Sequence, residues 1–117
     1  MRNNNLLKGQ LAEKKALQFL KDKNYQIIHS NWRCRLGEVD IIAQDGSYLC
    51  FIEVKYRKSN SYGLPREAVD HKKRQKLINL ALYYISREEK EKNIRFDVVE
   101  VSEDSINIIR NAFTADQ

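Results

Sequence analysis

The chain has 117 residues, 42% hydrophobic and 32% charged, with a formal net charge of +5. That supports one hydrophobic core and not two, so residues 1–117 are expected to form a single domain. No apolar run approaches the ~20 residues of a membrane-spanning helix. Met1–Leu20 is broken by Lys8, Glu13, Lys14 and Lys15 and does not read as a secretory signal; Cys34 and Cys50 make neither a disulfide framework nor a zinc motif. A cytoplasmic protein with no membrane partner is expected.

Leu6 to Lys23 reads as a first helix. Glu13, Ala16, Leu17 and Leu20 recur at i, i+3, i+4 and i+7, which puts an acid on the apolar stripe. Two readings are open: an acid at the stripe margin, favoured by the helix dipole, or a carboxylate aimed over a sheet. Tyr25 to Trp32 follows as a strand. Gly37–Gln44 and Ser47–Arg57 then form a hairpin, with Asp45-Gly46 as its expected two-residue turn. In that register Gln44 faces Ser47, Ile42 faces Leu49, Asp40 faces Phe51 and Glu38 faces Glu53.

Side chains alternate along a strand, so Asp40, Glu53 and Lys55 share one face, with Asp40 a diagonal neighbour of Glu53 at roughly 7–8 Å. Charges inside apolar strands are costly unless paired, and two converging carboxylates suit a hard divalent cation. A purely structural Glu53–Lys55 ion pair is the alternative. Glu38 opposite Glu53 would be a destabilising like-charge pair, relieved either by a metal or by a bulge that turns Glu38 away.

Beyond the hairpin, Ser59–Pro65 is a loop by its turn formers. A second helix runs from Glu67 or Asp70 to about Glu89, and Ile94–Ser102 and Ser105–Ile109 read as two more strands. The order α-β-β-β-α-β-β suits an α/β fold, a mixed sheet with helices on its faces. Charge is unevenly spread: between Lys55 and Lys76 there are eight basic residues against Glu67 and Asp70, while the rest of the chain is close to neutral. Either this is a solvated helix face with a basic loop, or Arg57, Lys58, Arg66, Lys72, Lys73 and Lys76 contact a nucleic acid. Lys73 lies in line with Leu77, Leu80 and Tyr84, so its head can snorkel from a buried face.

Glu13, Gly37-Glu38-Val39-Asp40, Phe51-Ile52-Glu53-Val54-Lys55 and Arg95-Phe96-Asp97 together resemble the YraN-like family, a group within the restriction-endonuclease-like (PD-(D/E)XK) superfamily and similar to archaeal Holliday junction resolvases. The resemblance spans about Leu7 to Phe113. It implies a restriction-endonuclease-like sheet and a nuclease that hydrolyses phosphodiester bonds in DNA, including branched DNA, with Mg²⁺ or Mn²⁺. Asp40, Glu53 and the carbonyl of Val54 would be metal ligands, Lys55 would lie beside the attacked phosphate, and Glu13 would join the site through water. Resolvases cut two strands as dimers, which implies a homodimer here. A nucleic-acid-binding module without turnover and a scaffold with a basic face are the alternatives.

Overall fold

A computed structural model of the chain describes residues 4–57, 70–88 and 93–115, with side chains from residue 8 onward. The elements are α1 (Asn4–Asp22), β1 (Gln26–Cys34), β2 (Gly37–Asp45), β3 (Tyr48–Tyr56), α2 (His71–Ile85), β4 (Asn93–Val101) and β5 (Ile106–Phe113). The expected α-β-β-β-α-β-β order holds. The five strands form one sheet in chain order, antiparallel throughout except for β3 against β4. A parallel pair needs a crossover, and α2 supplies it. Asp70 caps α2, its side chain accepting the Lys73 N–H at 2.9 Å. The Ser59–Pro65 loop, Glu67, Lys58 and Arg66 lie outside the described residues.

The helices cover opposite faces. Under α2, Leu77, Leu80 and Ala81 pack on Val39, Ile42, Phe51 and Phe96. Under α1, Ala12, Ala16 and Leu20 pack on Ile41, Ala43, Cys50 and Ile52. The apolar runs of β2 and β3 follow from this, because strands buried on both faces have no polar side to present.

The hairpin register differs from the expected one. Asp45 pairs with Tyr48, Gln44 with Leu49, Ile42 with Phe51 and Ile41 with Ile52, so the loop is Gly46-Ser47. Gly46 takes φ 59° and Ser47 stays out of the left-handed region, as in turns that favour glycine at their first central position. Asp45 is thereby released to finish β2, where it accepts a 2.6 Å hydrogen bond from Arg95. Moving the loop by one residue shifts the pairing by two, so every side chain keeps its face. The ladder stops at Ile41–Ile52, so Asp40 and Glu53 lie just beyond its last pair. Glu38 no longer meets Glu53; it pairs with Arg33 of β1 at 2.9 Å.

A second buried carboxylate holds the far side of the sheet together. Asp97, 1% exposed, accepts from Tyr25 Oη at 3.0 Å, from Arg95 and from the Asn111 backbone N–H, both at 2.9 Å. Asn111 reaches it by adopting φ 53° beside the irregularity between Phe96 and Val98. All of these polar atoms are satisfied, so the network ties the α1–β1 junction to β4 and β5.

Candidate functional site

Asp40 sits where regular alternation in β2 breaks. Val39 belongs to the core under α2, yet Ile41, two residues on, belongs to the core under α1. Between Ser30–Ile41 and Trp32–Val39 in the neighbouring ladder lies Asn31, which takes φ 53°. Asparagine visits that region more readily than other non-glycine residues, so β1 and β2 change face together. On the other side the β2–β3 pairing ends at Ile41–Ile52. Asp40 occupies the fork, its Oδ2 accepting the Val54 N–H at 2.8 Å. A side-chain carboxylate thus replaces a missing backbone acceptor, and this fixes its direction.

Two clefts meet at this carboxylate. One of about 500 Å³ opens on the α1 side and includes Glu13, Asn31, Arg33, Val54 and Tyr56. A smaller one of about 180 Å³ opens towards α2 and includes Glu53, Lys73 and Lys76. Glu38 and Asp40 line both.

Glu53 is 6% exposed, and it is the Glu53–Lys73 contact that makes this burial tolerable. Lys73 Nζ lies 2.7 Å from its Oε1, and Lys55 Nζ lies 3.8 Å away on the same face. Partial burial works against the charge on Lys73, but the hydrogen bond to Glu53 and the nearby Asp40 outweigh it, holding the ammonium above its usual range. Among the described residues, Asp40 has no cation of its own at hydrogen-bond range. Burial first, then the charge on Glu53, push its carboxyl up to about 7, against the opposing Val54 hydrogen bond. Glu13 is raised as well, by burial and then by Glu38, with a hydrogen bond from Asn31 pulling the other way. It lies beside the Ala12–Ala16–Leu20 stripe, facing the α1-side cleft.

The expected residues therefore divide. Glu13, Asp40, Glu53, Val54 and Lys55 come together around the fork. Lys73 joins them as the ion-pair partner of Glu53. Lys76 folds against Gly37, whose φ of 140° and missing side chain leave room for it. Lys72 is exposed on α2, and Arg57 is engaged by Glu100 of β4. Asn31 and Arg33 were not singled out by the sequence. An asparagine between apolar strand residues was the available signal for a left-handed backbone, and it is a weak one.

Among the described residues no group of three or more His, Cys, Asp or Glu side chains could hold a metal ion. Asp40 and Glu53 are two hard oxygen donors, the second already paired with Lys73. That set suits a cation such as magnesium, which keeps several waters when bound.

The fold and site define a mixed α/β protein whose central strands carry buried Glu53 beside half-buried Asp40, with lysines flanking Glu53. No described helix is long and apolar enough to cross a membrane. Residues 12–101 match the model of the uncharacterised protein family UPF0102, and the chain belongs to that family. It is 47% identical to the UPF0102 protein of Thermodesulfovibrio yellowstonii, covering 90% of this chain and 94% of that one. The UPF0102 protein of Persephonella marina is 40% identical over 94% of this chain and 96% of its own. That of Caldicellulosiruptor saccharolyticus is 47% identical over 90% and 95%.

Proposed function

We propose that this protein is a divalent-metal-dependent nuclease of the restriction-endonuclease-like superfamily, hydrolysing phosphodiester bonds in DNA. The observation that carries the reading is the fork itself: Asp40, steered by the Val54 N–H, adjoins Glu53 with Lys73 and Lys55 on its carboxylate. In this reading Asp40 and Glu53, with the Val54 carbonyl, hold Mg²⁺ or Mn²⁺. Such an ion, when bound, lowers the pKa of the attacking water and neutralises charge on the phosphoryl oxygens.

The protein's own groups do the rest. Lys55, 31% exposed, faces the negative charge that develops on the phosphate. Glu13 orients water on the α1 side. Lys72, Lys76 and, where they reach the strand, Arg57, Lys58 and Arg66 hold phosphates without reading sequence. Lys73 neutralises Glu53 until the dication takes over that role, and is then free to meet a phosphate oxygen.

A second reading, a nucleic-acid-binding module without turnover, is favoured by one feature: Glu53 already has a cation at 2.7 Å. Incubating the purified protein with linear, nicked and branched DNA, with and without Mn²⁺, separates the two. The nuclease reading expects Mn²⁺-dependent cleavage that Asp40→Ala and Glu53→Ala each abolish. Salt-sensitive binding without cleavage would leave the second reading. A homodimer acting on two strands is tested by sedimentation of the protein alone and on branched DNA.

A further inference from the structure

The α1-side cleft is larger than the orienting of a water by Glu13 requires. The cleft towards α2 is about 180 Å³ and sets Lys73 and Lys76 beside Glu38, Asp40 and Glu53, so it takes a phosphate only with a divalent cation that offsets the acids. The cleft towards α1 is about 500 Å³, within the about 300–1,000 Å³ typical of pockets that bury a small organic group. Its charges are wrong for a phosphate. Glu13 and Glu38 both face it, and its one arginine, Arg33, is already engaged by Glu38 at 2.9 Å.

What it does offer is an aromatic ring and amide groups. Tyr56, half-buried at the end of β3, lines the cleft, and the ammonium of Lys8 lies 5.8 Å from the centre of its ring. That contact turns the ring towards the helix side, and a base stacking there would displace the Lys8 ammonium. Asn31 and Gln10 present both hydrogen-bond donors and acceptors to the same space. A flat, neutral, hydrogen-bonding group is what this lining complements. Because Asp40 lines both clefts, such a group would be attached to the phosphate being held on the other side.

We infer that the α1-side cleft receives the base of an unpaired nucleotide next to the phosphate at Asp40, stacking it on Tyr56 with its edge towards Asn31 and Gln10. This rests on the nuclease reading for its phosphate and adds the substrate class: DNA with an unpaired nucleotide at the cut, such as a flap, gap or branch, in preference to continuous duplex. A base inside an intact duplex cannot enter without first being unstacked, which costs a few kcal/mol.

The test uses the full chain and two oligonucleotide duplexes, one fully paired and one with a short unpaired flap carrying 2-aminopurine. Binding is measured by anisotropy without divalent metal, and stacking by 2-aminopurine fluorescence. The flap is expected to bind more tightly than the paired duplex and its fluorescence to change on binding. Tyr56→Ala should remove about tenfold of the flap affinity and leave paired-duplex binding as it was, while Tyr56→Phe should behave as wild type. The ratio of the two affinities is the readout, since a folding defect lowers both together and is detected by thermal melting. Equal binding of the two duplexes by the wild type, or equal losses in Tyr56→Ala, would overturn the inference. Adding Mn²⁺ and scoring cleavage judges the nuclease reading separately: selective flap binding without cleavage keeps the base site and removes the nuclease.

Discussion

Replacing Asp40 with asparagine should stabilise the metal-free protein above neutral pH. The amide oxygen can still accept the Val54 N–H, which Asp40 accepts at 2.8 Å, so the fork keeps its hydrogen bond and loses only its charge. In the unfolded chain the carboxyl ionises near 3.8; in the fold, burial and then Glu53 raise it to about 7. Between those values the folded state holds a proton that the unfolded state has lost. Stability conferred by this group is therefore fully present below about pH 4 and is lost as pH rises through about 7. The full difference corresponds to at most ~4 kcal/mol. Water entering from both clefts and the sharing of the titration with Glu53 reduce it to ~1–2 kcal/mol. Urea unfolding at about pH 3.5 and about pH 8 measures it: Asp40→Asn should exceed wild type by ~1–2 kcal/mol at the higher pH and match it at the lower. Mn²⁺ at the higher pH should then raise the wild-type midpoint and not that of the variant. A gap of the same size at both pH values, or none at either, would refute the reasoning.

Asp97→Ala should instead destabilise, by ~2–4 kcal/mol, because it leaves the Tyr25 hydroxyl and the Asn111 N–H without an acceptor and half-buried Arg95 with Asp45 as its remaining carboxylate; denaturant titration followed by circular dichroism reads this directly. Gly37→Ala combines a φ of 140° with a new Cβ 2.8 Å from Lys76 Cε, and should cost ~1–3 kcal/mol in the same assay. Replacing Lys72, Lys73 and Lys76 together with alanine should flatten the dependence of DNA affinity on salt by up to about 3 in log–log slope, measured by anisotropy across a salt series.

Several features of this arrangement can be read directly from residue order. Apolar runs bounded by turn formers give five strands and two helices, and the single crossover long enough for a helix implies the parallel pair. Alternation gives Asp40 and Glu53 a shared face as an expectation that does not depend on the loop, since moving the turn by one residue changes the pairing by two; the face change of β2 at Asp40 is what it does not show. The unbroken apolar stretches of β2 and β3 likewise require cover on both faces. These are consequences of local geometry.

The register, the fork and the partners of each charge come from elsewhere in the chain. Asp45 leaves the turn because Arg95, 50 residues away, offers it a hydrogen bond. β2 changes face at Asp40 in step with Asn31 on a different strand, and Glu53 can be buried because α2 returns to bring Lys73 within 2.7 Å. The sequence by itself determined the kinds of element and their order, because those depend on neighbouring residues. Which charges meet, and where the sheet opens at Asp40, was decided only by tertiary packing, because each such contact joins residues whose separation along the chain carries no local signal.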